Sequence, residues 1–267
     1  MSESRDQDAQ KITTDALFDG RLICHQHRHG YRFSVDAVLL AHFCPVRPGD
    51  RILDLGCGSG IIGLILCSLH QDIALTGLEI QAGLAGLAQK NIQANQWADR
   101  MNIVQGDARQ PGRFLAAESF DLVVCNPPYR AAGSGRINRT DEAAVARHEL
   151  KATLDDMVSA AFFAVKNRGP VCFVYPAKGL SRLLTALELK NCAVKRVQPV
   201  YSSTSSGQAS LVLVEARKNG GPGCLLAAPF YVYDGPDRAY SPAMRNLYKG
   251  AGGALSGLDP GQDTKTE

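Results

Sequence analysis

The chain has 267 residues, 45% of them hydrophobic, which is enough to bury one large core. Its net charge of +3 is too small to indicate a nucleic-acid partner by itself. The first fifteen residues are polar and lack the apolar stretch of a secretory signal, and no uncharged apolar run reaches membrane-spanning length. We therefore expect a cytoplasmic protein that does not enter a membrane.

The composition changes near both ends of the chain. Residues 1–15 are polar, and the residues from about Lys249 onward are rich in Gly, Asp, Thr and Lys. We predict a flexible N-terminus at 1–15, a single domain at 16–249 and a disordered tail at 250–267.

The eight cysteines are scattered singly, without the paired spacing of a zinc site or a disulfide framework. The run from Cys24 to His29 contains three histidines, but its spacing matches no common ligand pattern, and adjacent residues of a strand point to opposite faces. We predict a solvated hairpin at this run and no metal.

Apolar strands and helices alternate along most of the sequence. Short strands with turns at Gly20 and Gly30 are predicted over 17–33, and a helix over 35–43. Further strands are predicted at 51–55, 73–79, 101–106, 120–125, 170–176, 193–201 and 209–216, and further helices at 61–70, 81–95, 152–167 and 179–189. This alternation predicts an α/β fold with a mostly parallel seven-stranded sheet and helices on both faces. The long loop at 130–150 has a length that is typical of functional segments.

A glycine-rich turn, Asp54-Leu55-Gly56-Cys57-Gly58-Ser59-Gly60, joins the strand at 51–55 to the next helix. Glycines at such a turn let the backbone approach a nucleotide-like cofactor. The spacing also satisfies the dinucleotide pattern, with Glu79 at the position of a ribose-binding acid. The Asp54 carboxylate, however, suits a cofactor with an ammonium group and would repel a pyrophosphate.

Two further acids follow strands: Glu79 closes the second strand of the alternating region, and Asp107 follows the third. Each by itself is compatible with a solvated acid at a strand end. Together with Asp54 they lie at three successive strand ends, on the edge where open parallel sheets bind ligands.

The strand at 120–125 is followed directly by Asn126-Pro127-Pro128-Tyr129. The Asn126 side-chain oxygen and the Pro127 carbonyl can accept hydrogen bonds from a planar amine, and so favour a more tetrahedral nitrogen. The two prolines stiffen the backbone, and Tyr129 can stack on a planar ring. An ordinary Asn-Pro turn would explain the same residues if they stood alone.

These motifs resemble those of class I methyltransferases, which are Rossmann-like and use S-adenosylmethionine. The resemblance implies that the methionine end of the cofactor is surrounded by Asp54, Gly56, Cys57, Gly58 and Gly60. It implies that Glu79 binds the ribose, and that Asp107 and Ala108 lie at the adenine. Asn126, beside the cofactor, begins a sequence that resembles the fourth motif of amino-directed methyltransferases, which act on adenine N6, cytosine N4, guanine N2 or a glutamine amide.

A longer region, from Asp15 to about Lys249, resembles the bacterial tRNA(Val) adenine-N6 methyltransferase family. The resemblance is carried by Gly30 to Ala41, DLGCGSG, NPPY, Ala146 to Glu149, Tyr231 to Tyr233 and Tyr240-Ser241-Pro242. It implies N6-methylation of an adenine beside the anticodon of a valine tRNA. Phe33, Ser34 and Asp36 would then help to cap the cofactor, and the phosphate-binding candidates are Arg130, Arg136, Arg139, Arg147 and Lys151.

Other functions remain open from the sequence. A release-factor glutamine methyltransferase also uses NPPY, but about fifty residues before Asp54 are too few for its helical recognition region together with the predicted hairpin. An rRNA guanine-N2 methyltransferase ranks after it, and an RNA-binding protein that keeps the fold without activity is the non-enzymatic alternative. Seven Lys and Arg residues between 166 and 196 oppose only Glu188, so this region forms either a basic face or scattered solvated charges.

Overall fold

The computed structural model describes residues 12–27, 35–128, 152–235 and 237–249. Its strands are β1 (Ile12–Leu17), β2 (Leu22–His27), β3 (Arg51–Leu55), β4 (Ala74–Glu79), β5 (Met101–Gln105), β6 (Leu122–Cys125), β7 (Pro170–Pro176), β8 (Cys192–Ser203), β9 (Leu211–Lys218), β10 (Leu225–Leu226) and β11 (Phe230–Tyr233). Its α-helices are α1 (Val35–Phe43), α2 (Ile61–Leu69), α3 (Ala82–Ala94), α4 (Leu154–Ala164), α5 (Leu180–Leu189) and α6 (Pro242–Tyr248), and 3-10 turns lie at Pro111–Arg113 and Ala177–Gly179.

The main sheet has the order β10-β8-β9-β7-β6-β3-β4-β5, and β11 also pairs with β8. Only β9 runs antiparallel to its neighbours β7 and β8. The seven predicted strands form the body of this sheet, which confirms the α/β prediction. The short strands β10 and β11 extend it to nine, and the sequence analysis did not predict them as part of the sheet.

Helices cover both faces of the central strands, and most of the buried residues of these strands are therefore apolar. Ile52 and Val124 belong to one buried cluster, with residues of α1, α2 and α6, whereas Leu53 and Val123 belong to the other, with residues of α4 and α5. Successive side chains of a strand point to opposite faces, so both clusters draw on the same strands. This two-sided packing fixes the carboxyl ends of the parallel strands along one edge.

The N-terminal hairpin differs from its prediction. β1 begins at Ile12, so residues 12–15 lie in a strand and not in a flexible segment. Leu22 and Cys24 are fully buried in the core, and Gln26 is 2% exposed. The hairpin therefore packs one face on the domain, and the prediction that it is solvated is wrong.

Candidate active site

The glycine-rich turn follows β3 and leads into α2. Gly56, Gly58 and Gly60 have φ values of 75°, 58° and 82°, in the left-handed region that favours glycine. The amides of Gly56 and Cys57 both donate to the carbonyl oxygen of Leu78, at 2.9 and 3.1 Å. The turn is thus tied to the end of β4, and its glycines are required by its backbone conformation.

Asp54 lies in β3, directly beneath this turn, and is fully buried. Its Oδ2 accepts a hydrogen bond from the Gly63 amide at 3.3 Å, and its Oδ1 has no hydrogen-bond partner among the described residues. Burial raises the pKa of Asp54 to about 7, and the nearby Glu79 charge adds to the rise. A buried carboxylate oxygen without a partner is costly, so this position fits the ammonium group of a cofactor.

Glu79 closes β4 and is 5% exposed. Its Oε2 accepts from the Gly58 amide at 2.9 Å, and its Oε1 accepts from the Gln81 amide at 2.8 Å. The carboxylate therefore holds the glycine-rich turn and the start of α3 together. A carboxylate oxygen can accept more than one hydrogen bond, so these contacts are compatible with ribose hydroxyls as additional donors.

Asp107 follows β5 and is held by Arg109, a residue that the sequence analysis did not single out. Arg109 Nε lies 3.0 and 2.9 Å from the two carboxylate oxygens, and Arg109 Nη2 lies 2.7 Å from Asp107 Oδ2. The side-chain hydrogen bond from Arg109 holds the pKa of Asp107 below its ordinary value. Ala108, between them, packs against the core cluster that contains α4. The Asp-x-Arg spacing within a turn was the only signal in the sequence for this pairing.

Asn126, Pro127 and Pro128 follow β6, the neighbour of β3. Asn126 is half-buried, Pro127 is buried and Pro128 is exposed. Leu55, which precedes the glycine-rich turn, lies opposite Cys125, which precedes Asn126. The structure therefore brings the Asn-Pro-Pro sequence and the glycine-rich turn to the same edge of the sheet, one strand apart.

Asp36 lies at the amino end of α1. It is the second residue of α1 and lines a cavity of about 550 Å³, together with Val35, Ser202, Ser203, Ser210, Leu211, Val232, Tyr233, Gly235 and Arg238. Within the described part of the chain, none of the three acids at the strand ends lines this cavity. Leu211 pairs with Pro176 at the end of β7, so this cavity lies at the carboxyl edge of the sheet, the edge that also carries the three acids.

Several candidate residues lie outside the described residues. They are Phe33, Ser34 and Tyr129, and the proposed phosphate-binding residues Arg130, Arg136, Arg139, Arg147 and Lys151.

The basic residues between 166 and 196 do not act as one group. Lys166, in the connection between α4 and β7, forms an ion pair with Asp121 at 2.5 Å. Arg196 is mostly buried, lies 3.2 Å from Glu215 and places its guanidinium 3.9 Å from the centre of the Phe43 ring. Lys166 and Arg196 therefore make contacts within the domain, and their charges do not form part of one basic face.

The residues at 34–165 match the model of the methyltransferase small domain. This chain is a methyltransferase. Its fold agrees with this assignment: a predicted O-methyltransferase from Agrobacterium tumefaciens superimposes with a TM-score of 0.67 at 19% identity, covering 80% of this chain and 96% of that one. TYW2 of Pyrococcus horikoshii, in complex with MeSAdo, superimposes with a TM-score of 0.55 at 14% identity, covering 78% and 72% of the two chains.

Several curated relatives of the methyltransferase carry the name tRNA1(Val) (adenine(37)-N6)-methyltransferase. The protein from Erwinia tasmaniensis is 29% identical over 221 residues, which are 82% of this chain and 87% of the relative. The protein from Yersinia pseudotuberculosis is 35% identical over 152 residues, 56% of this chain and 58% of the relative.

S-adenosylmethionine is the cofactor of this methyltransferase, and the residues at the edge of the sheet fit it: Asp54 offers a buried, unpartnered oxygen, and the adjacent turn is built from glycines in the left-handed conformation. Within the described ranges, no cluster of His, Cys, Asp and Glu could hold a metal ion. None of the described helices is long and apolar enough to span a membrane.

Proposed function

We propose that the methyltransferase transfers a methyl group from S-adenosylmethionine to N6 of an adenine in tRNA, beside the anticodon of a valine tRNA. The observation that carries this proposal is the position of Asn126, Pro127 and Pro128 next to the glycine-rich turn, across one strand spacing of about 5 Å. The names of the curated relatives favour adenine in tRNA among the amines that such a motif accepts. A tRNA substrate also supports a location in the cytoplasm.

On the cofactor side, three acids have distinct functions in this proposal. Asp54 binds the ammonium group through its buried carboxylate, and Glu79 accepts from the ribose hydroxyls while it keeps the glycine-rich turn in place. Asp107 accepts from the adenine amino group of the cofactor, and Arg109 fixes the orientation of its carboxylate. Gly56, Cys57, Gly58 and Gly60 line the methionine end, and Ala108 lies at the adenine.

On the substrate side, Asn126 Oδ1 and the Pro127 carbonyl oxygen each accept a hydrogen bond from one of the two N–H groups of the target amine. This draws the nitrogen lone pair out of conjugation with the ring and aims it at the methyl carbon. S-adenosylmethionine supplies a methyl group that its sulfonium centre already activates. The amine needs no strong base, because it can release a proton to water after the new N–C bond has formed.

The residues outside the described ranges have proposed functions as well. Tyr129 stacks on the flipped adenine, and Phe33 and Ser34 cover the cofactor. Arg130, Arg136, Arg139, Arg147 and Lys151 bind phosphates of the RNA. Asp36 helps Phe33 and Ser34 to cover the cofactor, from its position at the start of α1 beside the cavity.

The deciding experiment is the transfer of labelled methyl groups to bulk tRNA and, separately, to release factor, followed by nucleoside analysis of any labelled RNA. We expect labelled N6-methyladenosine in tRNA, enriched in valine isoacceptors. Label on release factor alone would instead identify a glutamine methyltransferase. A parallel assay with rRNA that yields labelled N2-methylguanosine would identify a guanine methyltransferase. Cofactor binding without transfer to any substrate would favour an RNA-binding protein that has lost activity.

A further inference from the structure

The free edge of the N-terminal hairpin is bound by two asparagines, Asn91 of α3 and Asn95, which caps the end of that helix. Asn95 Oδ1 accepts from the Ile23 amide at 2.9 Å, and Asn95 Nδ2 donates to the Ile23 carbonyl at 2.7 Å. Asn91 repeats this pattern one helical turn earlier, with Oδ1 2.6 Å from the His25 amide and Nδ2 3.0 Å from the His25 carbonyl. The two side-chain amides thus take the place of a neighbouring strand along β2.

Asn91 makes one contact that Asn95 does not. Its Nδ2 also donates to the carbonyl oxygen of Ser59 at 2.9 Å, whereas the further bond of Asn95 Nδ2 goes to the Asn91 carbonyl of the same helix. Asn91 is fully buried and Ser59 is 2% exposed. A single amide therefore joins the hairpin to the glycine-rich turn.

This contact acts on a part of the backbone that glycine leaves flexible. Ser59 lies between Gly58 and Gly60, both of which have positive φ. Glu79 holds the Gly58 amide from one side, and Asn91 holds the Ser59 carbonyl from the other. These two side chains hold the peptide groups on either side of the Gly58–Ser59 peptide, at the point where the backbone must approach the cofactor.

We propose that Asn91 is a positioning residue for cofactor binding, which holds the glycine-rich turn through Ser59 while it binds the hairpin through His25. The proposal rests on the proposed function in one respect, because it requires this turn to bind S-adenosylmethionine. Asn91 does not need to touch the cofactor, and we place it in neither the catalytic nor the binding set. Its effect should appear in cofactor affinity and much less in the rate of transfer.

The test compares Asn91→Ala with Asn95→Ala in the full-length protein. Both variants remove a pair of hydrogen bonds to β2, but only Asn91→Ala releases Ser59. Calorimetric titration with S-adenosylmethionine should show a Kd about tenfold higher for Asn91→Ala, the effect expected when one buried hydrogen bond is removed, and within about twofold of wild type for Asn95→Ala. KM for S-adenosylmethionine should rise in parallel, with kcat at saturating cofactor within about twofold of wild type.

Equal weakening by both variants would overturn the proposal, because hairpin docking alone would then explain the effect. Unchanged Kd in Asn91→Ala would overturn it as well. If Asn91→Ala does not fold, Asn91→Ser replaces it. Its hydroxyl is too short to reach the Ser59 carbonyl, so Kd should rise to the same extent, and a Kd equal to that of wild type overturns the proposal. Failure of the wild-type protein to bind S-adenosylmethionine would refute the proposed cofactor function and this inference with it, whereas binding that is equal in all variants would refute only this inference.

Discussion

At the scale of single residues, a substitution of Asn126 should impair methyl transfer and leave cofactor binding nearly unchanged. Its side-chain oxygen is proposed to accept a hydrogen bond from the target amine. Asn126→Ala should therefore reduce kcat at least about 100-fold, the effect of removing one preorganised hydrogen-bonding group from an active site. The Kd of S-adenosylmethionine should stay within about threefold of wild type, about 0.7 kcal/mol. Single-turnover transfer to tRNA and calorimetric titration measure the two quantities. Loss of cofactor binding in a folded Asn126→Ala protein would contradict the assigned function.

Asp54 should show opposite effects on folding and on binding. Burial raises its pKa to about 7 in the folded protein, above the ordinary value of 3.8. The folded state therefore holds this proton more tightly than the unfolded state, so the free energy of unfolding contributed by Asp54 falls as the pH rises from about 4 to about 7. Asp54→Asn should consequently be more stable than the ligand-free wild type at pH 8, by up to a few kcal/mol, and the difference should shrink toward pH 4.

The same variant should bind S-adenosylmethionine about tenfold or more weakly, because the charged partner of the ammonium group is gone. Urea unfolding at several pH values and calorimetric titration together test this pair of effects. Asp72→Asn is the matched control, since Asp72 is exposed and its charge stays solvated in both states. If Asp54→Asn is less stable than wild type at pH 8, the carboxylate stabilises the fold and is not kept for cofactor binding.

At the scale of elements, two helical glycines distinguish close packing from helix propensity. A Cβ at Gly63 of α2 would lie 2.6 Å from Met101 Cε and 2.7 Å from Leu75 Cδ2, so neighbours in β4 and β5 would have to move. Such overpacking costs about 1–3 kcal/mol, more than the roughly 0.5–1 kcal/mol that alanine contributes to a helix. Gly63→Ala should therefore lower the free energy of unfolding by roughly 1 kcal/mol.

Gly86 of α3 provides the control, because it is exposed and a Cβ there would meet nothing within 4 Å. Gly86→Ala should raise the free energy of unfolding by about 0.5–1 kcal/mol. Chemical denaturation of both variants measures the difference. If both substitutions stabilise the protein, the close contact between α2 and the sheet does not limit packing.

At the scale of the whole molecule, the sequence predicted the sheet well because periodicity and strand ends carry local signals. β3 and β7 have the predicted bounds, and the acids Asp54 and Glu79 lie at the predicted edge. Features that depend on contacts between residues distant in sequence were not predicted. The face of the hairpin that contains Cys24 is buried because α3 and the core lie against it. Asn91 gave no signal, since a polar residue in a helix is usually solvated.

The basic residues that are proposed to bind RNA phosphates at the edge that holds Asn126 should also determine how tRNA affinity depends on salt. For every phosphate that a variant no longer binds, the slope of log K against log salt should fall in magnitude by about one unit. Arg136→Ala and Arg139→Ala, in the long segment after Asn126, should each weaken tRNA binding and lower this slope. Arg47→Ala is the matched control: it removes the same charge from an exposed position just before β3, at the opposite, amino-terminal edge of the sheet. Titration with a valine tRNA at several salt concentrations between about 50 and 200 mM measures affinity and slope together. A slope that falls as much for Arg47→Ala as for the other two would mean that the RNA does not select the edge that holds Asn126.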